Sequence, residues 1–127
     1  MFEITIKGEV YQFRFGLGFV REIDKTKTQK AENGTVVNVG LNYAVAALID
    51  KDPLEVVNIL AVANKTEQPR VSRALLDEYI EDEDTDFDAL CEDILDFFKR
   101  GNATRTKTEA ILELVEKERA KAAAQTE

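Results

Sequence analysis

The chain has no histidine, one cysteine, two prolines and no apolar run long enough to cross a bilayer. Each shortage removes a class of function. Without histidine the usual general base near neutral pH is missing. Cys91 alone cannot close an internal disulfide, which favours a reducing compartment, and paired cysteines for zinc are absent. No G-x-S-x-G nucleophile turn and no G-x-x-x-x-G-K-[ST] phosphate loop occurs. Gly16-Leu17-Gly18 lacks the third glycine of a dinucleotide loop and reads as the end of a strand. Charges scattered through residues 1–20 argue against a signal peptide. The carboxylates are numerous, but on a solvated helix face nothing raises the pKa of one of them into the range of an acid catalyst. The expectation is a protein that is not an enzyme, with no cofactor, no metal and no membrane segment.

What is present is one domain's worth of chain: 127 residues, 33% charged and 44% hydrophobic. The net charge of −8 is unevenly placed. From Asp77 to Asp96 there are eleven Asp or Glu and no Lys or Arg, whereas the remainder carries 14 acidic against 17 basic residues. A basic nucleic-acid-binding surface is therefore not supported. The plainest reading of the acidic block is a solvated helix face with an acidic turn before it.

That block contains the best-marked helix, Thr85 to Gly101. Phe87, Leu90, Cys91, Ile94 and Phe98 recur at helical spacing and form one apolar stripe. Thr85 or Asp86 caps its start, Lys99 and Arg100 suit its last turn, and Gly101 offers a left-handed stop. Asp82, Asp84 and Asp86 occupy the first three ligand positions of a calcium loop. The glycine position, however, falls on Phe87 and the closing carboxylate on Asp93, inside the helix, so specific calcium binding is not expected.

Along the rest of the chain, Phe2, Ile4 and Ile6 alternate with polar residues, and Val10 to Phe15 alternates again after a tight turn at Lys7-Gly8-Glu9. This predicts an N-terminal hairpin whose aromatic face packs on helices. A short helix is expected from about Leu17 to Lys25. Residues 26–32 are polar and ambiguous. Asn33-Gly34 is a hairpin-turn signal, and the β-branched run from Thr35 to Val39 predicts a third strand added to the hairpin. Helices follow from Leu41, from Pro53 with Asp52 as cap, and from Ser72. After Gly101, Thr106 and Glu109 form a capping-box pattern opening a helix to about Ala123. Past Glu116 this helix has no strong apolar residue and should fray. The fold class is α+β and mostly α-helical: a small N-terminal antiparallel hairpin or three-stranded sheet, then a bundle of about five helices. Residues 1–104 are expected to form the core domain, and 105–127 a C-terminal helix that is loosely packed or interaction-competent.

The order of these pieces resembles a known family. Tyr11-x-Phe13-x-Phe15-Gly16-x-Gly18-Phe19, then Gly34 to Leu41, then Leu60 to Asn64, then the acidic helix closing on Arg100-Gly101-Asn102-Ala103-Thr104, is similar to the tail assembly chaperones of long-tailed phages and prophages of Gram-positive bacteria. The likeness covers most of residues 1–108. It implies a non-enzymatic protein of the host cytoplasm, absent from the mature virion, that binds the tape measure protein until tail tube protein polymerises around it. It also implies that a longer frameshifted form can exist, of which this chain would be the shorter one. Many copies could coat so long a client, which makes a homo-oligomer an expectation too. Ile111, Leu112, Leu114 and Val115, isolated on an otherwise polar helix, are the expected partner-binding residues; their alternative use is packing on the chain's own acidic helix. Two other readings stay open: an acidic nucleic-acid mimic that inhibits a host enzyme, and a structural tail subunit.

Overall fold

The computed structural model describes residues 1–125; the last two residues of the expected 105–127 segment lie outside the described residues. Strands β1 (Phe2–Ile6) and β2 (Glu9–Phe13) pair antiparallel with Phe2 opposite Phe13 and Ile6 opposite Glu9. The two-residue turn between them puts Lys7 at φ 51° and Gly8 at φ 82°, the left-handed pair that matches the twist of a hairpin. Alternation sends Phe2, Ile4, Ile6 and Phe13 into the core and leaves Glu3 and Thr5 outside.

Helix α1 (Leu17–Asp24) buries Phe19 and Ile23. The run after it departs from expectation. Residues 35–39 do not join the N-terminal hairpin: β4 (Val36–Asn38) pairs with β3 (Thr28–Lys30), drawn from the polar stretch, as a separate two-stranded ribbon. The Asn33-Gly34 turn closes it, with the Gly34 N–H on the Ala31 carbonyl and Gly34 at φ 87°. The reason is local. A strand paired by its own turn needs no long-range partner, and here every residue of both strands is exposed, so no buried face selects the other sheet.

Helix α2 (Gly40–Asp50) starts hard against the end of α1. A Cβ on Gly40 would fall on the Ile23 carbonyl, and the Asp24 carboxylate accepts the Leu41 N–H at 3.0 Å in place of a cap from its own helix. Lys51, at φ 57°, ends α2 in the left-handed conformation. Asp52 then accepts the Leu54 N–H at 3.1 Å and Pro53 opens α3 (Pro53–Asn64). Helix α3 is the centre of the molecule. It packs on α1, α2, α4 (Arg73–Glu81) and β2, and Val56, Val57, Ile59, Leu60, Val62 and Ala63 are all buried. Asn64, fully buried at its end, gathers three segments. Its amide donates to the carbonyls of Gln12 (2.9 Å) and Pro69 (3.2 Å), and its oxygen accepts the Val71 N–H at 2.7 Å.

The acidic helix α5 (Phe87–Arg100) is capped by Asp86, whose carboxylate accepts the Ala89 N–H at 3.0 Å. Leu90, Cys91, Ile94 and Phe98 are buried as the stripe predicts, with Phe87 half-buried beside them. Gly101 is not left-handed but extended (φ −78°, ψ 136°). A side chain there would meet the Thr104 hydroxyl at 3.1 Å, so close approach rather than backbone sign selects glycine. The capping box at Thr106 does not form the start of the last helix, because α6 (Arg105–Gln125) begins one residue earlier. Two buried threonines fasten it instead: Thr104 donates to the Phe98 carbonyl at 2.7 Å, and Thr108 to the Thr104 carbonyl at 2.8 Å.

Candidate partner-binding surfaces

Helix α6 lies against α2 and α5 and changes character along its length. Over the first turns Thr108 is buried and Ile111 packs on the core. Leu112 and Val115 are half-buried, while Leu114 is 58% exposed. From Glu116 to Gln125 every residue is exposed. The four residues singled out by sequence are thus divided: Ile111 anchors the helix to its own domain, Leu112 and Val115 flank the anchor, and Leu114 faces outward. Beyond them the helix continues as Glu, Lys, Arg and Ala, with a Lys117–Glu113 contact at 3.4 Å along it.

At the end of the molecule where β1, α1 and the last turn of α5 meet, six phenylalanines form one aromatic cluster. Phe15 stacks edge-on against Phe19 and Phe98 with centroids 5.2 and 5.1 Å apart, and Phe2 against Phe97 at 5.2 Å. The Arg100 guanidinium covers the Phe97 ring at 4.7 Å. Met1, Phe15, Phe97 and Gly101 line a shallow apolar depression there. Phe97 lies off the predicted stripe, and only the neighbouring Phe2 and Phe15 explain its being aromatic.

The acidic turn is engaged locally. Asp82 accepts the Asp84 N–H at 2.9 Å, and Asp86 is spent on capping. Among the described residues no group of three or more Cys, Asp or Glu is placed to hold a metal, and no helix is long and apolar enough to cross a membrane. The titratable groups are shifted by structural causes. Burial pushes the Cys91 thiol up to about 11 and raises the Tyr79 phenol. The Thr66 hydroxyl, then the Arg14 guanidinium, hold the Glu67 carboxyl below its ordinary value against the opposing effect of burial. Lys51 bridges the end of α2 to Asp88 (3.7 Å) and Glu92 (3.6 Å) on α5.

The family model described as phage tail assembly chaperone protein matches residues 3–113, from the first strand through the anchored turns of α6. Comparison with curated proteins and with solved structures gives no match. Because that one model spans most of the sequence, the chain belongs to the phage tail assembly chaperone family.

Proposed function

We propose that this protein acts by binding, not by catalysis: it holds the tape measure protein of a long-tailed phage of a Gram-positive host, keeps it soluble in the host cytoplasm, and releases it as tail tube subunits assemble. The observation that carries this reading is the division of α6. Its root is fixed to the domain by Thr104, Thr108 and Ile111, while Leu114 and residues 116–125 are exposed. A helix held at one end presents an apolar residue to a helical client at little ordering cost, since its root is already positioned. The acidic surface of α5 keeps a complex with an aggregation-prone client in solution through its charge. Leu112, Leu114 and Val115 make the client contact, and Ile111 keeps the helix in place.

Co-expression with the tape measure protein tests the proposal. Leu114→Ser should leave the melting temperature unchanged and reduce client recovered with the chaperone; Ile111→Ser should lower both. Undiminished client recovery by Leu114→Ser together with Val115→Ser would reject the assignment to α6. Mass spectrometry of purified virions tests the chaperone role itself, since a retained protein would be a structural subunit.

A further inference from the structure

The N-terminal hairpin has an unpaired edge. In a hairpin closed by two residues, the pairs Ile6–Glu9, Ile4–Tyr11 and Phe2–Phe13 exchange hydrogen bonds. The main-chain N–H and C=O groups of Glu3 and Thr5 therefore point away from β2. No third strand takes them up among the described residues. They open on a groove that runs the length of β1, with adjoining depressions sharing Thr5, Glu3 and Phe2 in turn. The opposite wall carries Asp84, Asp86, Asp93 and Asp96, with Arg100 at its Phe2 end and Lys99 3.8 Å from Asp96. Open edges of this kind invite another strand unless something covers them.

The molecule carries a strand of complementary kind. The β3–β4 ribbon is exposed on both faces, with Val36 65% exposed. Its register, with the Val39 N–H on the Lys27 carbonyl and the Ala31 N–H on the Thr35 carbonyl, turns the main chain of Thr28 and Lys30 outward. Two free residues, one apart, thus stand on this edge just as on β1. The strand and its approach read Lys25-Thr26-Lys27-Thr28-Gln29-Lys30, with no acidic residue. Lys25 lies 3.9 Å from Glu22 and Lys27 is drawn to Glu55 at 3.3 Å, while Lys30 makes no ion pair among the described residues.

We propose that β3 of one copy adds antiparallel to the β1 edge of a second copy, Lys30 opposite Glu3, which sets Lys30 against the Asp93 and Asp96 side of the groove. Arm and groove are different surfaces, so the contact is heterologous and propagates head to tail. This goes beyond the proposed client contact, which uses α6, and it is tested with the pure protein alone, so either can fail without the other.

The full chain, followed by sedimentation over a wide concentration range, should form a ladder of species that shortens as salt is added. Lys30→Glu, and separately Asp93→Lys with Asp96→Lys, should each weaken association by roughly tenfold. Mixing the two charge-reversed proteins should restore it, since each arm again meets a groove of opposite sign. Thr28→Pro, which removes an edge N–H without changing charge, should weaken it as well, with circular dichroism checking that each variant is folded. A protein monomeric throughout, a ladder indifferent to both reversals, or a mixture that stays apart would overturn the proposal. Full association of the Thr28→Pro variant would overturn the strand pairing.

Discussion

Helices α5 and α6 are consecutive in sequence and opposite in what holds them. Helix α5 has a carboxylate cap, cations in its last turn and four buried side chains in 14 residues. Helix α6 is half as long again, 21 residues, and buries one side chain, Thr108. The first is helical because its stripe is covered; the second, past its root, is helical because Ala, Glu, Lys, Arg and Gln favour that backbone. Packing supplies most helical stability in proteins, and an isolated stretch as short as the exposed part of α6 is marginal in water. One helix therefore belongs to the fold, and the outer part of the other is left available for use. The comparison can be broken at several points.

The largest effect is expected at the covered end of α5. Phe98 is fully buried between Phe15 and Phe19, so Phe98→Ala should cost about 3–5 kcal/mol in urea unfolding. The same truncation at Leu114 should fall within about 0.5 kcal/mol, as a surface change does. Similar losses at both positions would mean that α6 is as much a part of the core as α5. Next comes Asn64→Ala, which strips the partners from the Val71 N–H and the Gln12 and Pro69 carbonyls. An orphaned buried group is costly, and about 2–3 kcal/mol is expected, measured by the same unfolding curves.

These two sites also mark what a sequence discloses. The stripe of α5, its Asp86 cap, the Asp52-Pro53 start and the Ser72 cap are legible because their physics is local: each involves residues within a few positions of one another. Asn64 is not legible as a hub, since one partner, Gln12, is 52 residues away, the others lie beyond the end of its helix, and an Asn after an apolar run looks like any helix end. Gly40 is equally silent, because the carbonyl that excludes a side chain there belongs to Ile23. Strand β3 is missed for the opposite reason. A strand with no buried face has no alternation to read, so β4 alone is visible and is assigned to the wrong sheet. Of the partner-binding residues, the pattern identifies the helix, but only packing separates Ile111, which faces inward, from Leu114, which does not.

A smaller effect comes from pH. In the folded chain Cys91 keeps its proton up to about pH 11, whereas an ordinary thiol titrates near 9.0. Between those values the folded state binds more protons than the unfolded one. Stability present below pH 9 is accordingly lost as the pH rises toward 11. The raised phenol of Tyr79 acts in the same direction. In Cys91→Ala the decline should be shallower, and thiol reagents should leave Cys91 of the native protein unmodified at neutral pH, because the thiolate is the reactive form.

The smallest change in stability is expected from ending the chain at Glu116. The residues removed are exposed wherever they are described, so the unfolding midpoint should move by less than about 0.5 kcal/mol, while helical circular dichroism falls by the share those residues contribute. In the intact protein their amides should exchange with solvent far faster than those of α5, because local opening there breaks no buried contact. Binding of the tape measure protein should then slow exchange around Leu114 and beyond, and leave α5 unaltered. Slow exchange in the free protein would show that the outer part of α6 is already covered, by a second copy or by its own domain, and the contrast between the two helices would vanish.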